Sequence, residues 1–197
     1  MDAEHIRAGQ GDGRPVAVYT DREDTGRFSC GYIAAVTQDE LLLSAVSPAG
    51  RYDGFLVVRT EDVFALERDS RYTDKIDRLY RARGQRHPAI EVGCGESLTA
   101  AVLRHAQREH TVVTIELWDS GLDDVQGFVG AVGDETVTIR QLDDGGRPDG
   151  KIEILPEAIS ALMCDEENGQ ALKILWEAGQ GNGGAGYVER DRQPGGA

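Results

Sequence analysis

Cysteine, histidine, basic charge and long apolar runs are all scarce in this chain. No stretch approaches the roughly 18 consecutive apolar residues that a bilayer-crossing helix needs, and the mean hydropathy is -0.41; no membrane span is expected. The opening residues MDAEHIRAGQGDGRP contain no apolar core of the kind a secretory signal carries, which points to the cytoplasm. The three cysteines, Cys30, Cys94 and Cys164, fall in no CxxC spacing, so neither a disulfide framework nor a zinc site is expected. The histidines His5, His87, His105 and His110 are equally scattered; the closest pair stands at i,i+5, off a single helical face. No metal and no cofactor follow from this set.

Signatures of catalysis are missing as well. There is no GxSxG, no glycine-rich phosphate loop, no HExxH, and no Cys or Ser beside a histidine in a known arrangement. The carboxylate pairs Asp123-Asp124 and Asp143-Asp144 fall in expected turns or strand ends, and nothing fixes the six or more oxygens that calcium would want. The expectation is a protein that is not an enzyme. Basic charge is in deficit too: 21 Lys and Arg stand against 35 Asp and Glu, a net charge of -14.

What the chain does have is self-similarity. AGRYDG, from Ala49 to Gly54, returns as GGRPDG from Gly145 to Gly150, 96 positions later. The same offset aligns GYIAAVTQDELLLSAVSPAGRYDGFLVVRTEDVFALERD with GFVGAVGDETVTIRQLDDGGRPDGKIEILPEAISALMCD without a gap. Gly31 meets Gly127, Ala35 meets Ala131, Glu61 meets Glu157 and Asp69 meets Asp165, while Leu41 pairs with Val137 and Val63 with Ile159. The pattern reads as an internal duplication.

Each copy reads as short strands. In the first they run over Val16–Tyr19, Phe28–Val36, Leu41–Val46, Phe55–Arg59 and Val63–Arg68; in the second over Val112–Trp118, Val125–Val132, Thr136–Leu142, Lys151–Leu155 and Ile159–Met163. Five strands in so short a span suit a small, strongly bent barrel better than a sandwich. Gly31 and Gly127 open a strand where a barrel wall bends and a Cβ would crowd its neighbour. The hexapeptides fall between the third and fourth strands, with Asp-Gly supplying left-handed geometry. Their Arg51, Asp53, Arg147 and Asp149 form a candidate binding rim, in which the guanidinium groups would meet a carboxylate or phosphate.

Helical periodicity closes each copy: Tyr72, Ile76, Leu79 and Tyr80 share one face, and Leu172, Leu175 and Trp176 another. Ser97 is a natural N-cap for a helix leading into the second copy. The expected organisation is 1–14 as a disordered or weakly helical start, 15–85 as a first barrel with its helix, 86–96 as a linker, 97–180 as a second barrel with leading and trailing helices, and 181–197 as a Gly-rich disordered tail. The fold class is mostly β with short helices: two tandem five-stranded small barrels of Sm-like or SH3-like type, each with a C-terminal helix.

A helix followed by five short bent strands, with a glycine early in the second, resembles the Sm-like superfamily (the LSm and Hfq type). Residues 31–46 and 127–142 resemble its first motif, and the pattern is similar to a bacterial group of tandem Sm-like proteins with no assigned activity. The family's RNA-binding members carry an Asp and an Asn in the first-motif turn, and an Arg or Lys followed by Gly in the second motif. Here the turns read Gln38-Asp39-Glu40 and Asp134-Glu135-Thr136, and the second-motif positions read RTEDVFAL and LPEAISAL. The family's RNA pocket therefore transfers to no residue of this chain.

Charge separates the copies. Residues 15–85 hold 10 Lys and Arg against 12 Asp and Glu, a net of -2, whereas residues 111–180 hold 4 against 15, a net of -11. A phosphate backbone would be repelled by the second copy. The one basic run is Arg78, Arg81, Arg83 and Arg86, a candidate patch for an acidic partner. The expected function is a non-enzymatic interaction or scaffold module that binds protein partners or self-assembles. The alternative is an RNA-binding adaptor acting through the less acidic first copy.

Overall fold

A computed structural model describes every residue except 9, 11–12, 25, 119–123 and 182–197; the expected tail lies almost wholly outside the described residues. The protein is mostly β, and the ten strands among the described residues form one antiparallel sheet. A short helix, α1 (Ala3–Arg7), precedes β1 (Val16–Tyr19), β2 (Ser29–Val36), β3 (Glu40–Val46), β4 (Tyr52–Arg59) and β5 (Ala65–Glu67), with α2 (Arg71–Ala82) after them. The second half begins with α3 (Leu98–Glu109) and continues through β6 (Val112–Leu117), β7 (Val125–Val132), β8 (Val137–Leu142), β9 (Pro148–Ile154), β10 (Ile159–Cys164) and α4 (Glu167–Gly181). No helix among the described residues is long and apolar enough to cross a membrane.

Backbone geometry recurs at the 96-residue offset. A register shift between Ile33 and Ala35 in the β2–β3 pairing is matched by one between Val129 and Ala131 in β7–β8. The turns after β3 and β8 are closed alike: Gly50 N–H donates to Ser47 O and Gly146 N–H to Asp143 O, both at 2.8 Å. Asp69 and Asp165 both take positive φ, 52° and 59°. Gly31 and Gly127 sit against the next strand, where a Cβ would lie 2.2 Å from Ser44 O and 2.1 Å from Arg140 O. Any other residue at either place would push two strands apart.

The strand order is β5-β1-β2-β3-β4-β10-β6-β7-β8-β9. Closure of a five-stranded barrel within each copy would require β4 to meet β5 and β9 to meet β10. Instead β4 pairs with β10, and the sheet stays open, with β5 and β9 as its two ends. β3 is buried on both faces, which explains its unbroken Leu41-Leu42-Leu43 run. Leu41 and Leu43 join Ile6 of α1, Val16, Val18 and Val63 in a core belonging to the first half. Leu42 turns the other way, joining Phe55 and Val57 with α3 and the strands of the second half. That second core, from Leu98, Val102, Val113, Ile115, Ile139 and Leu162, thus draws side chains from both halves. Each fully buried Leu or Ile contributes about 1.5 to 3 kcal/mol by leaving water, so the shared core couples the halves strongly.

Helix starts follow their sequence signals. Ser97 caps α3 by accepting from Ala100 N–H, and Ser70 forms a reciprocal capping box with Thr73 on α2. One expected face is corrected. Leu172 is buried and Trp176 is in contact with the core, but Leu175 is 46% exposed, because the four-residue step from 172 to 176 sets the buried side and 175 lies beside it.

Candidate functional site: the seam between the halves

The feature that organises the molecular surface is the β4–β10 seam. Its register pairs Val58 with Ala161, Val57 with Leu162, Leu56 with Met163 and Phe55 with Cys164. Alternation along β4 sends Phe55 and Val57 into the shared core and Leu56 and Val58 to the opposite face.

Polar contacts lock the two ends of the seam. At one end Tyr52 OH donates to Asp165 Oδ2 at 2.8 Å, and Asp53 Oδ1 accepts from the Glu167 N–H at the start of α4 at 3.0 Å. The Tyr52 hydroxyl is pushed far above its ordinary value by burial and then by the carboxylate of Asp165. At the other end the Glu40 carboxylate accepts from the Leu98 and Thr99 N–H groups and from the Thr99 hydroxyl, capping α3 from across the seam. The N-terminus of α3 is therefore satisfied by a carboxylate of the first half.

His87 fastens the connection between halves. Its Nε2 faces two carbonyl oxygens, Ala45 O at 2.8 Å and Gly54 O at 3.1 Å, so Nε2 carries a hydrogen and donates; in the neutral ring Nδ1 then accepts from Tyr80 OH at 2.7 Å. The ring packs against Tyr52, Tyr80 and Phe55. Burial lowers its pKa from the ordinary value.

Clefts flank the seam on both sides. One, of about 520 Å³, lies among the β2–β3 turn, the α3 start and residues 156–161, with Asp39, Glu96 and Glu157 in its lining. The other, of about 330 Å³, is lined by Phe28, Leu56, Val58, Met163, Trp118, Asp62 and Glu116. A smaller cavity of about 210 Å³ shares Phe28, Ser29, Leu56 and Met163 with it, extending the groove toward Tyr72 and Glu166. Glu116 and Asp62 are pushed above the usual carboxylate range, each by burial first and then by a neighbouring carboxylate, Asp124 and Glu61 respectively. Arg59 lies over the Trp118 ring, 5.5 Å from its centroid, and pairs with Glu61. An apolar floor with carboxyl groups and an aromatic rim suits a peptide segment bearing apolar side chains and hydrogen-bond donors. Among the described residues no group of three or more His, Cys, Asp or Glu is arranged to hold a metal ion.

The expected rim residues are separated by this geometry. Asp53 is committed to the start of α4 within the seam, whereas Arg51, Arg147 and Asp149 are exposed. The arginine patch is partly engaged: Arg81 Nε is 2.8 Å from Asp77 Oδ1, Arg83 donates to Ala49 O, Arg78 reaches Asp74 at 3.8 Å, and Arg86 is exposed. Glu40, Tyr52, His87 and Trp118 carry the seam but were not among the sequence candidates. His87 carried a signal, standing seven residues after Tyr80 and before a proline; the other three are placed by long-range contacts. Compared with protein-family models, curated proteins and solved structures, the chain matches none.

Proposed function

We propose that the chain is a non-enzymatic interaction or scaffold module built from two Sm-like barrels, which binds protein partners or self-assembles in the cytoplasm. The observation that carries this reading is the seam. One five-stranded order, β5-β1-β2-β3-β4, is used again as β10-β6-β7-β8-β9, and the two are joined by strand addition. The product is one platform with clefts on both sides of its centre.

Distinct protein partners are favoured over further copies by the free ends. Continuing the seam from β9 of one chain to β5 of the next, at the 96-residue offset, would set Glu153 opposite Leu66 and Ile152 opposite Glu67. The internal seam sets Val57 opposite Leu162 and Leu56 opposite Met163. Charged side chains at the ends of a sheet oppose its extension.

An RNA-binding adaptor is the second reading, supported by Arg78, Arg83 and Arg86 on the first half; Arg81, held by Asp77, offers less. Size exclusion with light scattering, at two salt concentrations with and without a short RNA pool, separates the readings, and cross-linking in cells adds the partner. The interaction module predicts reproducible protein cross-links to the seam clefts and no RNA-dependent shift from 21.4 kDa or its multiple. An RNA shift that disappears with salt, without protein cross-links, would replace it with the adaptor.

A further inference from the structure

Helices α2 and α4 hold corresponding places, each following an aspartate at positive φ and each resting on the turn between the third and fourth strands of its half. Their inward residues correspond: Ile76 and Tyr80 on α2, Leu172 and Trp176 on α4. Their outward residues agree at two of four positions and differ at the other two. Positions Lys75, Arg78, Leu79 and Ala82 of α2 become Ala171, Ile174, Leu175 and Ala178 on α4.

These four stand at i, i+3, i+4 and i+7, so they make one continuous stripe on the side of α4 away from Leu172 and Trp176. All four are exposed, Ile174 at 66% and Leu175 at 46%. At the places of Ala171 and Ile174 the first half carries Lys75 and Arg78, so helix formation and packing do not demand apolar residues at those two positions; Leu175, like Leu79, also backs onto the turn glycine of its half. Around the stripe the charge is acidic. Glu167 and Glu177 lie on α4, and Asp143 and Asp144 lie in the turn whose Gly146 backs onto Leu175. Lys173 and Arg147 are the basic residues of these two segments, and residues 111–180 carry a net charge of -11.

We propose that this face of α4 docks a basic amphipathic helix of a partner protein, with its apolar side chains on Ala171, Ile174, Leu175 and Ala178 and its Lys or Arg flanks toward the carboxylates around them. The proposal rests on reading the chain as a protein-interaction module and gives that module a particular partner chemistry. A second copy fits poorly, because two acidic faces of like charge would meet.

The test uses the full chain and a fluorescein-labelled synthetic helix of about five turns, with leucine at i, i+3, i+4, i+7 spacing and lysine elsewhere. A matched peptide carries glutamate in place of lysine. Anisotropy and amide chemical shifts are followed at physiological ionic strength, for the native chain and for Ile174→Ser/Leu175→Ser. These residues are exposed, so the variant keeps its fold, which its thermal melt verifies, and it keeps every charge. The expected result is binding of the lysine peptide with shifts clustered on residues 171–178, no binding of the glutamate peptide, and at least about tenfold weaker binding by the variant. Equal binding by the variant would reduce the effect to undirected charge attraction and overturn the proposal. Equal binding of the glutamate peptide would overturn its charge component. A concentration-dependent doubling of mass, abolished in the variant, would replace the partner with a second copy. Protein cross-links at the seam would leave the interaction-module reading standing through any of these failures.

Discussion

Gly54 and Gly150 end the two hexapeptides in nearly the same conformation, φ 68° and 84°, and this makes them a matched pair for measuring the seam. Alanine at either position takes on the left-handed penalty of about 1 to 2 kcal/mol. Only Gly54 adds a collision. A Cβ there would stand 2.1 Å from Cys164 O and 2.6 Å from the Asp165 carbonyl carbon, whereas at Gly150, on the free β9, it meets nothing within 4 Å. Forcing a methyl against immovable backbone adds about 1 to 3 kcal/mol. Gly150→Ala is therefore expected to cost about 1 to 2 kcal/mol and Gly54→Ala about 2 to 5 kcal/mol. For a chain of this size each kcal/mol lowers Tm by about 2 to 4 °C, giving shifts of about 2 to 8 °C and about 4 to 20 °C. Differential scanning calorimetry of the two variants reads both. Equal shifts, or a larger one for Gly150→Ala, would mean that the strands do not meet at the seam as described.

Three further expectations concern the same junction. Glu40→Ala removes the carboxylate at the start of α3 and should cost about 1 to 2 kcal/mol in urea unfolding, while Asp39→Ala, an exposed neighbour, should cost almost nothing; parity would deny the cap. The His87 ring should titrate below its ordinary value of about 6.5 in histidine NMR, because burial among Tyr52, Tyr80 and Phe55 outweighs its backbone bonds and the nearby Asp53. The unfolded chain then takes up the proton first, so this contribution to stability is complete above about pH 6.5 and is lost as the pH falls through the folded-state value; titration above 6.5 would reverse the sign. Exposed Cys94 should react at once with a thiol reagent, whereas Cys30 and Cys164, both buried and pushed up to about 12, should wait for unfolding; early reaction at Cys164 would place it outside the core.

Local features were legible in the sequence because their causes are local. Alternation located the strands, Ser97 marked the start of α3, and the repeated hexapeptides marked both turns, although each Asp-Gly lies inside the following strand, β4 or β9, just past the turn that Gly50 or Gly146 closes. The β4–β10 pairing was not legible. Its register is set by hydrogen bonds between residues about a hundred positions apart, and alternation says which way a side chain points but not which strand lies beside it. Closure was expected for the same reason: the pattern of five strands is identical whether β4 meets β5 or meets β10. Asp53 and Asp149, alike in sequence context, differ in what lies opposite, α4 for Asp53 and solvent for Asp149, a difference that no local pattern carries.

Because β4 and β10 lie on one polypeptide, their pairing answers to no dissociation constant. A tether of this kind holds its two ends at an effective concentration on the order of millimolar, so dilution that would scatter separate subunits leaves this platform intact. It also fixes an order. The first half always offers β5 at its outer end and the second always offers β9, so a molecule that recognises one end finds it once per chain, at a known distance and orientation from the other.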